Sequence, residues 1–326
     1  MMNMLFYTSK EREIIDRLIK AFPAVNIMTA DTDDELRKAM PETDVLVTSN
    51  RVYVPGPAKI IREGAKRLKW IQFTTSGIDK AVASGLPDGI PVTNAAGFHA
   101  NRVAEHAMSL LLAVGRRHMD AGAARPKREW IRDEVTPVML TLEKATMVLI
   151  GLGSIGQSIA RKAKAFDMRV IGISRSTDPI EFIDEVRPRA RLAETLKEAD
   201  VVMLSAVYDK DTHMIINAAG IASLKPRAII VNIARGLLID EPAMIAALKA
   251  NKIYGAGLDV MTVEPLNGES PLWDMPNVVM TAHSAGAGGD KTDPIVNIIA
   301  DNLALFEAGK PLNKLVHGPA VAKVPA

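Results

Sequence analysis

Arg235, Glu264 and His283 are the residues of this chain whose types and placing point to chemistry. Each stands a few residues beyond a short apolar run that reads as a strand: 228–232, 255–258 and 278–281. Strands of one parallel sheet bring the residues beyond their carboxyl ends to a single edge, where ligands of open α/β sheets bind. The segments Asn232-Ile233-Ala234-Arg235-Gly236, Asp259-Val260-Met261-Thr262-Val263-Glu264-Pro265 and Thr281-Ala282-His283-Ser284-Ala285-Gly286 are therefore expected to converge. A guanidinium there can hold a carboxylate by two parallel hydrogen bonds. An imidazole can give or take a proton near neutral pH. A carboxylate beside the ring orients it and favours its charged form. Singly, each residue has a duller reading: a surface salt-bridge partner, a turn residue before proline, a core histidine between small neighbours. Their shared topology argues for a site.

Residues 146–176 supply the frame for that edge. Thr146-Met147-Val148-Leu149-Ile150 is apolar and largely branched, as in a strand buried on both faces. Gly151, Gly153 and Gly156 follow as G-x-G-x-x-G. Ile155, Ile159, Ala160, Ala163 and Phe166 come next at helical spacing, then the strand Val170-Ile171-Gly172-Ile173. Strand, glycine turn, helix and strand is the context a dinucleotide site requires. The first glycine allows the tight turn, the second lets a pyrophosphate approach the backbone, and the third lets helix pack on strand. The free N–H groups at the helix start, from Ser154 and Ile155 onward, form an anion site.

The tip of the second strand reads the adenosine ribose. An acid there accepts from the 2′-OH of NAD. Here the tip is Ser174-Arg175-Ser176, with no acid before Asp178. An arginine flanked by hydroxyls suits a 2′-phosphate, which a carboxylate would repel. The expectation is NADP(H) over NAD(H). NAD(H) remains open if Arg175 is a solvated loop residue and Asp178 reaches back to the ribose.

Before this unit, short strands alternate with helices: strands at 4–7, 26–28, 45–48, 70–73 and 92–93, helices at 11–21, 33–40 and 58–65. That alternation implies a second, smaller α/β domain with a parallel sheet. Thr74-Thr75-Ser76-Gly77-Ile78-Asp79 should lie at the carboxyl edge of its sheet. Backbone N–H groups around Ser76 and Gly77 suit a small carboxylate; an ordinary capped turn has the same residues. Residues 99–117 form a long helix carrying the chain into the nucleotide domain, with Glu105 and His106 read as structural or interface residues. Residues 125–137, with Trp130, read as an arm that meets a partner subunit. A helix at 293–308 returns to the first domain, and 309–326 reads as Pro-, Gly- and Ala-rich and frayed at its end.

Composition bounds the rest. The 326 residues fit two domains. The 40 basic and 38 acidic residues nearly balance, which gives no reason to expect nucleic acid or a membrane surface as partner. Without cysteine there are no disulfides or thiolate chemistry, and none of the six histidines has zinc-ligand spacing, so no metal is expected. The first residues do not resemble a signal peptide, and the expected location is cytoplasmic.

The chain resembles the D-isomer-specific 2-hydroxyacid dehydrogenase family. The resemblance runs over nearly the whole chain: Ser76-Gly77-Ile78-Asp79, Val103-Ala104-Glu105, the glycine loop, then the Arg, Glu and His segments in family order. It implies a Rossmann nucleotide-binding domain (99–287) and a flavodoxin-like α/β substrate domain (1–98 with 288–326), with the active site in the cleft between them. It implies reduction of a small 2-keto acid, with glyoxylate and hydroxypyruvate as first candidates. His283 would give the carbonyl oxygen its proton, Glu264 would hold the other ring nitrogen, and Arg235 would bind the substrate carboxylate, with Ser76 and Gly77 as further substrate contacts. Asp259 would bind the nicotinamide carboxamide, Ala234 would meet the ring through its backbone, and Thr212 would lie at a cofactor contact. A homodimer through the long helix and arm is implied too.

Three departures matter. Ala282 stands where the family commonly has proline, Ser205-Ala206-Val207 replaces a frequent His-x-Pro, and Ser174-Arg175 replaces the acid. Glu264 is a true carboxylate, whereas the similar formate dehydrogenase branch has glutamine there, which disfavours formate. The competing readings are an NAD-linked dehydrogenase of another 2-hydroxy acid or of phosphite, and a nucleotide-sensing interaction protein similar to the corepressor relatives. The loops at 50–54, around Ser76 and at 286–291 should set the pocket's size.

Overall fold

Alternation along each strand sends neighbouring side chains to opposite faces, and here both faces are apolar. Met147 and Leu149 join one core while Val148 and Ile150 join another; Val201 and Met203 part from Val202 and Leu204 in the same way. A strand of this kind needs cover on both sides, which in α/β proteins comes from helices. The computed structural model describes residues 1–8, 11–288 and 292–319. It divides the chain into two units, Met1–Phe98 with Gly289–Ala326, and His99–Gly288.

The first unit holds β1 (Met2–Tyr7), β2 (Val25–Thr29), β3 (Val45–Thr48), β4 (Trp70–Phe73), β5 (Val92–Thr93) and β13 (Leu315–His317). Their order is β13-β5-β4-β3-β1-β2. The first five strands are parallel in the order 2-1-3-4-5, which is flavodoxin-like. The helices Arg12–Ala21 and Thr292–Glu307 cover one face around Phe6, Val47 and Trp70. β13 lies within the Pro- and Gly-rich tail, where the sequence shows no sign of a strand, and its Leu315 pairs with Thr93 antiparallel. Residues 320–326 lie outside the described residues, as does the end of the 286–291 loop.

The second unit holds β6 (Thr146–Ile150), β7 (Arg169–Ser174), β8 (Glu185–Pro188), β9 (Val201–Leu204), β10 (Ile229–Asn232), β11 (Gly255–Leu258) and β12 (Val278–Met280). All are parallel, in the order β12-β11-β10-β9-β6-β7-β8. The chain runs outward in both directions from β6, so the switch point of this Rossmann sheet lies between β6 and β9, at the glycine turn. The helix Ala100–Gly115 buries Val103, Ala107, Leu110, Leu111 and Val114 on the sheet. Burying each of these Val and Leu side chains contributes about 1.5–3 kcal/mol. β8 was not expected from the sequence. Among the described residues, no helix is long and apolar enough to cross a membrane.

Candidate active site

The glycine turn after β6 has the shape its residues imply. Gly151 has φ +95°, and a Cβ there would lie 2.5 Å from the Ala206 Cα. A Cβ on Gly156 would lie 2.1 Å from the Gly151 carbonyl oxygen, so only glycine lets this helix start so close to its strand. A Cβ on Gly153 would meet nothing within 4 Å, which is the open side a pyrophosphate needs. The helix Ser154–Lys164 begins with no side-chain cap, so the N–H groups of its first turn, Ser154 and Ile155 included, are left for an anion. Ser205 Oγ donates to the Gly151 carbonyl at 2.7 Å and ties the turn to the end of β9. These residues fit a dinucleotide.

β7 ends at Ser174, which is half-buried, and Arg175 and Ser176 beyond it are exposed. Asp178, the nearest acid, accepts from the Ser176 hydroxyl at 2.5 Å and is thus tied back into its own turn. Thr212 is fully buried. Its hydroxyl donates to the Val207 carbonyl at 2.9 Å and accepts from Asp209 N at 2.7 Å. Thr212 thus holds this turn from inside.

The catalytic candidates stand on neighbouring strand ends. Buried Asn232 closes the turn after β10: its amide donates to the Arg235 carbonyl at 2.9 Å and its oxygen accepts from Ala234 N at 3.1 Å. Arg235 Nη1 donates to the Ala234 carbonyl at 2.7 Å. Gly236 lets this loop press on the next one, since a Cβ there would sit 2.0 Å from the Met261 carbonyl carbon. Glu264 Oε1 accepts from Met261 N at 3.1 Å, and its Oε2 lies 2.7 Å from His283 Nδ1. The pairing through Nδ1 leaves His283 Nε2 for a ligand, and half of the side chain is exposed to reach one (50%).

His283 has φ +51°. The left-handed region costs a residue with a Cβ about 1–2 kcal/mol, so something must hold it there. Asp259 does. Its carbonyl accepts from His283 N at 2.7 Å, and its carboxylate takes Ser284 N at 2.8 Å and Ala285 N at 2.9 Å. Thr281 Oγ1 donates to the same carboxylate at 2.5 Å and lies 2.8 Å from His106 Nε2. The buried Asp259 carboxylate is thus engaged with the turn that presents His283. His106, read as a structural or interface residue, backs this turn from the long helix. Its signal was legible: with Val103, Ala107 and Leu110 it shares the apolar stripe, where a polar ring needs a partner.

In the first unit, Ser76 Oγ donates to the Ala95 carbonyl at 3.0 Å and Asn94 Nδ2 donates to the Ser76 carbonyl at 2.6 Å. The backbone N–H groups of Ser76 and Gly77 make no hydrogen bond among the described residues, so they stand available to a ligand.

The family pattern described as D-isomer specific 2-hydroxyacid dehydrogenase, NAD binding domain, matches residues 108–285. The chain is 36% identical over 288 residues to a glyoxylate reductase of Pyrococcus furiosus, over 85% of this chain and 83% of that one. It is 39% identical over 257 residues to a hydroxypyruvate reductase of Thermotoga maritima, over 77% and 80% of the two. A crystal structure of a D-isomer specific 2-hydroxyacid dehydrogenase from Xanthobacter autotrophicus Py2, in complex with NADPH and MES, is similar at TM-score 0.83 and 25% identity, over 97% of this chain and 98% of that one.

Proposed function

The chain belongs to the D-isomer specific 2-hydroxyacid dehydrogenase family, and from that premise we propose that it is an NADPH-dependent reductase of small 2-keto acids, of glyoxylate or hydroxypyruvate size, giving D-2-hydroxy acids. The observation that carries the reading is the 2.7 Å pairing of His283 Nδ1 with Glu264, on loops beside Arg235 and in the sheet that bears the glycine turn.

A reduced dinucleotide, held at the glycine turn of Gly151, Gly153 and Gly156, would supply the hydride for the carbonyl carbon. The protein's part is to bind, orient and protonate. Arg235 takes the substrate carboxylate in its fork and polarises the carbonyl. His283, held by Glu264 through Nδ1, gives the proton on Nε2 to the carbonyl oxygen as negative charge develops there. In the reverse direction neutral His283 accepts the alcohol proton at Nε2. Glu264 keeps the ring in one orientation through Nδ1. Ser76 and Gly77 offer backbone N–H groups to a carboxylate, Ala234 offers its backbone to the nicotinamide ring, and Asp259 acts through the His283 turn. Ser174, Arg175 and Ser176 favour a 2′-phosphate over a bare ribose.

The names of the Pyrococcus and Thermotoga relatives support glyoxylate and hydroxypyruvate as first substrates, and the Xanthobacter complex supports NADPH. The test is a panel of keto acids, each with NADPH and with NADH. Small unbranched acids with NADPH should give the highest kcat/KM. Equal or better use of NADH would overturn the cofactor reading, and preference for bulky or branched acids would overturn the substrate reading.

A further inference from the structure

One guanidinium at the nucleotide edge is unaccounted for. β7 and β8 run parallel in a register that sets Ser174 opposite Pro188. The next residue on each is an arginine, Arg175 and Arg189, and adjacent strands lie about 4.8 Å apart. The arginines around them are all paired. Arg187 binds Glu185 and Glu198, Arg169 binds the same two acids, and Arg191 binds Glu194. The guanidinium groups of Arg175 and Arg189 make no hydrogen bond or ion pair among the described residues. Yet Arg189 is half-buried. The acid in its field is Asp209, whose carboxylate is already engaged by Thr212 N and Asp211 N at 2.9 Å each and by Thr212 Oγ1 at 3.0 Å. The fold thus brings two like charges to one corner of the sheet, with the single carboxylate of Asp209 in the field of Arg189 and no acid in ion-pair contact with either guanidinium among the described residues, an arrangement that a multiply charged anion relieves.

We propose that Arg189, from the outer strand, and Arg175, from the tip of β7, together seat the 2′-phosphate of NADP(H). The assignment rests on the NADPH reading above and adds to it a residue that discriminates the two cofactors. A bare 2′-OH would leave both guanidiniums unpaired, whereas a phosphate offers each of them an edge.

Calorimetric titration of the full chain without substrate tests this, with 2′,5′-ADP and 5′-ADP as probes. The wild type should bind 2′,5′-ADP at least about tenfold more tightly than 5′-ADP. Arg189→Ala should lose about 10- to 100-fold on 2′,5′-ADP, as expected for a charge-assisted bond, with 5′-ADP unchanged as the control for folding. Arg189→Lys should recover part of the loss. If Arg189→Ala binds 2′,5′-ADP as well as the wild type while Arg175→Ala does not, the role of Arg189 is refuted and the NADPH reading stands. Equal weakening of both probes would make Arg189 merely structural. A wild type that does not distinguish the probes would remove the NADPH reading and this proposal with it.

Discussion

At the scale of single residues, the site is a set of shaped turns more than a set of reactive groups. His283 is held at positive φ by a carboxylate that binds the two N–H groups following it. Replacing Thr281 by valine removes the hydroxyl between His106 and Asp259 and should loosen that turn. The expected result is a fall in kcat of about tenfold or more with NADPH affinity kept, since a misplacement of about 1 Å costs up to 10²-fold; an unchanged kcat would show that His106 and Thr281 merely fill space. Arg235→Lys keeps the charge but loses the fork. KM for the keto acid should rise about tenfold or more, and steady-state kinetics with an unchanged KM would contradict carboxylate binding at Arg235. The residue types were legible because guanidinium, carboxylate and imidazole each follow an apolar run. The work of Asp259 was not, because its partners are backbone groups 25 and 26 positions away, which no spacing rule reports.

At the scale of elements, the strand-turn-helix from β6 was readable from the sequence, because both faces of that strand are apolar and two of its three glycines, Gly151 and Gly156, sit where a Cβ would collide. β8 was missed for the opposite reason. Glu185-Val186-Arg187-Pro188 is charged, short and at the sheet's edge, and it reads as loop. Ion pairs hold it: Arg187, with little exposure of its own, keeps the carboxyls of Glu185 and Glu198 below the ordinary carboxylate range. Carboxyl groups depressed in the fold contribute stability that is full above their unfolded values and is lost as pH falls through the lower folded values. The wild-type Tm should therefore decline on acidification through and below the usual carboxylate range. Arg187→Met should have a lower Tm at neutral pH and a flatter acid limb. Parallel Tm curves for the two proteins would show that Arg187 is not the cause. β13 escaped notice likewise: three residues in a Pro- and Gly-rich tail become a strand only because β5 offers an edge.

At the scale of the whole molecule, the near-balanced charge and the absence of cysteine narrowed the field early, whereas association is a property no single chain displays. Trp130, on the arm at 125–137, is 90% exposed, and Met119 and Val138 on either side of that arm are partly so. Beside it a cavity of about 680 Å³ opens between Arg117, Val138, Tyr254 and Met275, away from the strand ends that carry the chemistry. Exposed apolar surface of this kind fits a second copy of the chain. Light scattering should give twice the chain's mass, and Trp130→Ala should shift it toward the single chain; a monomeric wild type would contradict the homodimer. The proposed activity depends on one proton transfer. The most direct measurement is single-turnover reduction of hydroxypyruvate by NADPH in His283→Ala, with NADPH affinity measured on the same preparation. A proton delivered by His283 predicts a hydride-transfer rate lower by about 10²–10⁴ in the variant with cofactor affinity intact. A rate near that of the wild type would contradict it.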